Sequence, residues 1–258
     1  MEKWQGKVAV VTGASVGIGA ELCRALVEAG MIVCGMSKRK DKMEAVRKNL
    51  VDKYVEVNFK CIECDIRDER QVAAAFKWIE DVCGGVDLLI NNAGVITKGL
   101  LLDPKNTIEL YRTMETNIIG LCLVTREAAR LMKKRDQEEG TIGHIVNINS
   151  IFGHKIHACV PGTKPLNGMY PASKFAVTAI TECVRQELLY LGTKIKCTSI
   201  SPGLVEGDVG TLNTSHEMIK VMPKLTPQDV SDAVIYAIST PENVLIHELI
   251  IKPVGEFL

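Results

Sequence analysis

Tyr170 and Lys174 stand four residues apart in Tyr170-Pro171-Ala172-Ser173-Lys174, and positions four apart share one face of a helix. A free phenol, with a pKa of roughly 10, is a poor base at neutral pH, but a neighbouring ammonium favours the phenolate. Such a pair can pass a proton to or from a substrate oxygen. Pro171 suits a first helical position, where its missing N–H would be unpaired anyway, so the helix is predicted over Pro171–Leu191 with Tyr170 at its boundary. Alone, the two residues equally fit a tyrosine packed on its own turn beside a solvated lysine. Ser150 gives them company: it ends the buried-looking run His144–Asn149, where its hydroxyl could orient a carbonyl or an alcohol.

A second constellation is Thr12-Gly13-Ala14-Ser15-Val16-Gly17-Ile18-Gly19. Its glycines allow a tight turn, close approach of the backbone to a pyrophosphate, and close packing of helix on strand. The following helix start offers free N–H groups to the anion. A tight β-α turn alone could look like this, but a strand before and a helix after favour a dinucleotide held by Gly13, Ser15, Gly17, Ile18 and Gly19. The next strand ends in Ser37-Lys38-Arg39-Lys40, with no acid to meet a ribose 2′-hydroxyl. Ser37, Lys38 and Arg39 suit a 2′-phosphate, so NADP(H) rather than NAD(H) is the expected cofactor, although a basic helix start is also ordinary surface.

The elements that must position these residues read as strands Lys7–Thr12, Ile32–Met36, Asn58–Asp65, Val86–Asn91, His144–Asn149, Lys194–Ser201 and Leu245–Ile251. Helical patterns alternate with them at Gly17–Ala29, Lys42–Lys53, Arg70–Val82, Ile108–Arg135, Pro171–Leu191 and Pro227–Ile238. Near-continuous apolar strands imply a parallel sheet covered on both faces. The expectation is one α/β domain over residues 1–258, a Rossmann-type doubly wound sheet. Ile151–Met169 and Gly203–Pro223 are long loops after strands and the candidate pocket walls. Ile151, Phe152, Ile156, Val160, Leu204, Val205 and Met222 would line the pocket with apolar surface.

Lys plus Arg and Asp plus Glu number 31 each among 258 residues, and that zero balance disfavours a nucleic-acid partner. The 47% hydrophobic content suits a packed core, and with no apolar run of spanning length or secretory leader the expected place is the cytoplasm. Nine cysteines, an odd count scattered through apolar segments, read as reduced and buried thiols.

In this frame the chain resembles the short-chain dehydrogenase/reductase family. The resemblance rests on T-G-A-S-V-G-I-G at 12–19, Cys64-Asp65-Ile66, N-N-A-G at 91–94, N-I-I-G at 117–120, Asn149-Ser150, Y-P-A-S-K at 170–174 and S-P-G at 201–203, in order along almost the full length. It implies that Tyr170 is the general acid–base, Lys174 lowers its pKa and holds the nicotinamide ribose, and Ser150 positions the reacting oxygen. Asn117 would anchor a water between Lys174 and solvent. Asp65, with Ile66, would meet the adenine; Asn91 with Asn92, Ala93 and Gly94 would line the cofactor groove; Pro202, Gly203 and Val205 would face the nicotinamide. Stretches 143–155 and 226–241 resemble the farnesol dehydrogenase subgroup of insects, which implies a terpenoid alcohol such as farnesol. A broad carbonyl reductase or hydroxysteroid dehydrogenase, a non-catalytic NADP(H) sensor and, more weakly, an epimerase or dehydratase are the alternatives. In the family the helices at Ile108–Arg135 and Pro171–Leu191 meet a second subunit, which implies a homodimer or homotetramer; Leu121, Leu123, Val177, Ile180 and Leu188 would serve either that contact or the core.

Three departures stand out. The insert between Ser150 and Tyr170 is longer than the family norm, Gly207 occupies a position where a threonine is common, and Val16 replaces a frequent basic residue. No metal is expected. Cys61 and Cys64, three apart on a strand, project to opposite faces, and His154, His157 and Cys159 lack a carboxylate partner in their loop.

Overall fold

The first strand, β1 (Val8–Thr12), is buried along its whole length, and its residues alternate between two cores: Ala9 and Val11 join one apolar cluster, Val8 and Val10 the other. That period of two is the pleat of a strand covered on both faces. The computed structural model describes residues 1–54, 57–97, 99–156, 158, 161–162, 165, 168–207 and 221–256. Strands β2 (Ile32–Ser37), β3 (Phe59–Glu63), β4 (Leu88–Asn91), β5 (His144–Ile148), β6 (Lys196–Pro202) and β7 (Glu248–Ile251) complete a seven-stranded sheet in the order β3-β2-β1-β4-β5-β6-β7. Every pairing is parallel. The order reverses between β1 and β4, which opens a crevice at the carboxyl ends of those two strands.

Helices α1 (Gly17–Glu28), α2 (Lys40–Val51), α3 (Glu69–Cys83), α4 (Thr107–Met114), α5 (Leu121–Glu139), α6 (Met169–Tyr190) and α7 (Pro227–Ser239) flank the sheet. One core holds Leu22, Leu26, Met43, Val234 and Ile238 from α1, α2 and α7; the other holds Phe76, Ile79, Val124 and Leu131 from α3 and α5. Asp68 caps α3 by accepting the Arg70 and Gln71 N–H groups, and Gly84 closes it at φ +80°. Thr226 and Asp229 form a reciprocal capping box on α7. No helix of the described residues is long and apolar enough to cross a membrane.

Four expectations change. The single helix predicted over Ile108–Arg135 is continuous from α4 into α5, but through a π turn at Glu115–Gly120. Helix α6 begins at Met169, so Pro171 is its third residue and Tyr170 lies inside it rather than at its boundary. The first N–H groups of any helix lack intrahelical partners, so proline fits throughout that turn. Cys122 and Cys183 are exposed, although Cys23, Cys34, Cys64 and Cys197 are buried as expected. Leu121, Val177 and Leu188 are buried in the chain's own core, and the apolar groups facing out from the π turn and α6 are Ile119, Phe175 and Leu189.

Candidate active site

Where β1 ends, the chain turns at Gly13 (φ +68°) and Gly17 (φ +56°) into α1. A Cβ on Gly19 would lie 2.3 Å from the Gly13 carbonyl oxygen, and one on Gly13 2.9 Å from Ala93 Cα, so this turn is pressed against the turn after β4. Above Gly17 the space is open: a Cβ there would meet nothing within 4 Å. No side chain caps the start of α1, which leaves its first N–H groups to an external acceptor. A pyrophosphate fits this cradle. Thr12 locks the two turns together, its hydroxyl accepting from the Asn92 and Ala93 N–H groups at 3.0 Å each, while Asn92 Nδ2 donates to Thr12 O at 2.9 Å.

At the end of β2, Ser37 Oγ donates to Ser15 Oγ at 3.2 Å, and Arg39 Nη2 donates to the same Ser15 oxygen at 2.9 Å. Two buried hydroxyls and an exposed guanidinium thus face one another with no carboxylate among them. Lys38 is turned toward Asp65 instead, 3.6 Å from Oδ2. Asp65 is gripped by Arg67, whose Nη2 donates to Oδ2 at 2.7 Å, and this hydrogen bonding holds the carboxyl below its ordinary pKa. Ile66 packs on the π turn, where a Cβ on Gly120 would meet its Cδ1 at 2.8 Å.

The proton-handling residues converge on the start of α6. Lys174 Nζ donates to Ile148 O at 2.9 Å and lies 5.7 Å from the centroid of the Tyr170 ring. Phe152 lies edge-on to the same ring, at 6.1 Å between centroids. Ser150 is buried at the end of β5 and accepts the Phe152 N–H at 3.2 Å, starting a short 3-10 turn at Ile151–Gly153. Asn117, on the π turn, accepts from Val95 N at 2.8 Å and donates to Val95 O at 3.0 Å. Its Nδ2 also reaches Ser173 Oγ at 3.0 Å, and Ser173 in turn donates to Tyr170 O at 2.7 Å. A phenol beside an ammonium, with a buried hydroxyl one short turn away, is the equipment for proton transfer to an oxygen.

Pro202 ends β6, Gly203 and Val205 follow it at the same rim, and all three are buried. Gly203 N donates to Ile251 O at 2.8 Å and Leu204 N to Glu256 Oε1 at 3.0 Å. A Cβ on Gly203 would sit 2.1 Å from Glu256 Oε2, so a side chain there would have to displace that carboxylate. Burial pushes the Glu256 carboxyl above its ordinary pKa.

A sequence model described as short chain dehydrogenase matches residues 7–218. The chain belongs to the short-chain dehydrogenase family. Along 259 residues it is 43% identical to the farnesol dehydrogenase of Aedes aegypti, covering 99% of each chain. It is 39% identical over 263 residues to dehydrogenase/reductase SDR family member 11 of Gallus gallus, with 98% of each covered. Among solved structures, a short-chain type dehydrogenase/reductase from Mycobacterium marinum superimposes with a TM-score of 0.83 at 27% identity, over 96% of this chain and 95% of that one. The protein is therefore an oxidoreductase of alcohol or carbonyl groups with a fold that binds nicotinamide nucleotides.

Several site residues of this dehydrogenase differ from expectation. The Asn91 side chain is turned into the fold: its buried amide donates to Thr125 Oγ1 at 2.8 Å and to Asn147 Oδ1 at 2.9 Å, and Asn147 continues to Thr181 Oγ1 at 2.9 Å. Gly94, in contrast, is exposed beside Asn117, where a Cβ would lie 3.5 Å from Oδ1. Among the expected pocket walls, Ile151, Phe152, Leu204, Val205 and Met222 are buried, whereas Ile156 is exposed; Val160 lies outside the described residues, as does 208–220 of the second loop. Gly207 takes φ +93°, a conformation that a threonine would strain. Cys61 and Cys64 do diverge, to opposite apolar clusters. His154 Nε2 is engaged 3.0 Å from Ser201 Oγ and from Glu248 Oε1; His157 and Cys159 lie outside the described residues. Thr12, Ser173 and Glu256 enter the site unanticipated, each through a partner distant in sequence, and Arg67 enters it through Asp65, two residues away.

A cavity of about 250 Å³ opens at the opposite rim, lined by Trp4, Lys7, Asp87, His144 and Lys196 among others. It lies at the amino ends of β1, β4, β5 and β6, away from the crevice. Lys196 is spent on structure there, donating to Pro241 O and Val244 O at 2.6 Å.

Proposed function

We propose that this short-chain dehydrogenase interconverts an alcohol and a carbonyl on a hydrophobic small molecule, a terpenoid alcohol such as farnesol, using NADP(H). The hydride chemistry is that of the nicotinamide when bound. Tyr170 takes the hydroxyl proton in oxidation and returns it to the forming alkoxide in reduction. Lys174 favours the phenolate and holds the nicotinamide ribose, Ser150 orients the reacting oxygen, and Asn117 anchors the water that links Lys174 to solvent. Gly13, Ser15, Gly17, Ile18 and Gly19 would hold the pyrophosphate. Asp65 and Ile66 meet the adenine, Asn92, Ala93 and Gly94 line the groove, and Pro202, Gly203 and Val205 face the nicotinamide. Holding the carbinol carbon against the nicotinamide removes the entropy of encounter from the barrier.

The observation that carries this reading is the Lys174 ammonium 5.7 Å from the Tyr170 ring, at the rim that also holds the glycine cradle. The Ser15, Ser37 and Arg39 cluster supports NADP(H), because charge-assisted donors without a carboxylate suit a 2′-phosphate. Full-length identity of 43% to a farnesol dehydrogenase supports the substrate class. We read residues 1–258 as one catalytic domain, acting in the cytoplasm as a homodimer or homotetramer joined through outward apolar groups such as Ile119 and Phe175.

The test follows reduced-nicotinamide absorbance with farnesol, steroids, retinoids and dicarbonyls, in parallel with NADP(H) and NAD(H). Farnesol with NADP+ is expected to give the highest kcat/KM. Tyr170→Phe should lower turnover by about 10²- to 10⁴-fold with nucleotide affinity kept. Full turnover in that variant would overturn the acid–base role, and preference for a steroid would replace the substrate class.

A further inference from the structure

Two thiols outside the active site lie in contact. Cys34, in the middle of β2, is buried, and Cys83, the last residue of α3, is half-buried; their sulfurs are 3.8 Å apart. Both pack in the same apolar cluster beneath α3. We propose that Cys34 and Cys83 form an oxidisable dithiol that a hydroperoxide converts to a disulfide, tying the strand that ends in Ser37 to the end of α3.

The two sulfurs have different surroundings. The contact with Cys34, in which either thiol can donate, and the nearby Lys60 ammonium both favour the Cys83 thiolate. Cys34, the more buried of the two, keeps its proton. Cys83 is therefore the attacking sulfur and Cys34 the resolving one.

In the first step the Cys83 thiolate attacks the distal oxygen of the hydroperoxide. The O–O bond breaks, an alcohol or water leaves with the added proton, and Cys83 becomes a sulfenic acid. In the second step the Cys34 sulfur attacks that sulfenic sulfur. The S–O bond breaks, and the departing hydroxide takes the Cys34 proton as water. Two thiols lose two electrons in total, and the hydroperoxide gains them.

A disulfide needs sulfurs about 2.05 Å apart, so the pair must close by roughly 1.8 Å. The movement falls on the last turn of α3, which is followed by Gly84 at φ +80° and Gly85 at φ +134°, a two-glycine joint that a side chain would stiffen. The β2 side is held by register to both neighbours, Cys34 facing Val10 and Lys60.

The experiment treats the folded, reduced full-length protein with one equivalent of hydrogen peroxide or tert-butyl hydroperoxide, then maps its peptides without reduction. The expected result is a crosslinked Cys34–Cys83 peptide that forms about tenfold faster than Cys122 or Cys183 is oxidised, those two being the exposed internal controls. Cys34→Ser should stop at a sulfenic acid on Cys83, captured by a cyclic dione, and Cys83→Ser should leave Cys34 unmodified. Oxidation confined to Cys122 and Cys183 with no crosslink would overturn the proposal. If the Cys34→Ser chain does not fold, the wild-type map and Cys83→Ser decide it.

Discussion

Asn117 and Val95 hold each other by both edges: the Asn117 amide oxygen accepts the Val95 N–H at 2.8 Å, and its amide nitrogen donates to the Val95 carbonyl at 3.0 Å. The pair joins the π turn to the loop after β4, as one residue of a sheet ladder holds another. A π turn inserts an extra residue into a helix and re-aims the side chains around it. Here it aims an amide at a loop and, through Ser173, at the turn that carries Tyr170.

Asn117→Ala strips partners from both half-buried backbone groups of Val95. At about 1–3 kcal/mol for a buried polar group left unpaired, Tm should fall by roughly 5–10 °C. Calorimetry with and without NADP+ checks this. Turnover should fall as well, because Ser173, which donates to Tyr170 O, loses its Asn117 partner; a variant as stable and active as the parent would show that the amide pair is dispensable.

Gly19→Ala tests the cradle. The new methyl would fall 2.3 Å from the Gly13 carbonyl oxygen and 2.5 Å from Asn92 Nδ2. Backbone there cannot swing aside as a side chain does, so the turn must open. Nucleotide affinity is expected to drop by at least about tenfold, read by fluorescence titration with NADPH. Undiminished affinity would mean that the nucleotide binds elsewhere.

Ser37→Asp places a carboxylate beside the Ser15 hydroxyl and the Arg39 guanidinium. Arg39 would then pair with the new charge, which also repels a 2′-phosphate. The ratio of kcat/KM for NADP+ over NAD+ should fall by about 100-fold. Parallel steady-state assays with the two nucleotides measure it, and an unchanged ratio would remove this cluster from cofactor choice.

Acid sensitivity should trace to His144. Its ring, buried with Nε2 2.8 Å from Thr198 Oγ1, has its pKa driven down to about 3 by burial, aided by the nearby ammoniums of Lys196 and Lys3. Thr198 spends its own proton on Ile246 O at 2.7 Å, so it accepts one from the neutral imidazole. The unfolded chain protonates this histidine near pH 6.5. Between those values unfolding takes up a proton, and stability falls with falling pH by at most about 1.4 kcal/mol per unit. In His144→Gln the slope of unfolding free energy between about pH 6 and pH 4 should be flatter by one proton. Urea titrations across that range test it; an equally steep slope would assign the acid sensitivity to carboxylates.

What could be read from the chain in advance was whatever obeys a local rule. The alternation of strand and helix, the Thr12–Gly19 turn and the shared face of Tyr170 and Lys174 depend only on residues close in sequence. The two-way bond of Asn117 to Val95 and the grip of Thr12 on residues 92 and 93 join positions 22 to 81 residues apart, and a side-chain amide or hydroxyl leaves no period to detect. Asn91 illustrates the same blind spot. Its place in a recognised motif suggested the groove, while its amide is taken up by Thr125 and Asn147 inside the fold. Pro171 marks the start of α6 only to within two residues, because proline is tolerated anywhere in a first turn.

Trp4 and Glu256 fasten opposite rims of the sheet. At the beginning, Trp4 is buried with its indole N–H on Ile238 O at 2.9 Å, on the side away from the crevice. Near the finish, Glu256 folds back to clasp Leu204 directly behind the segment proposed to face the nicotinamide. Loosening the two fastenings is therefore not symmetrical in its effects: Trp4→Ala should cost robustness alone, whereas Glu256→Ala frees the segment proposed to face the nicotinamide and so reaches the reaction itself.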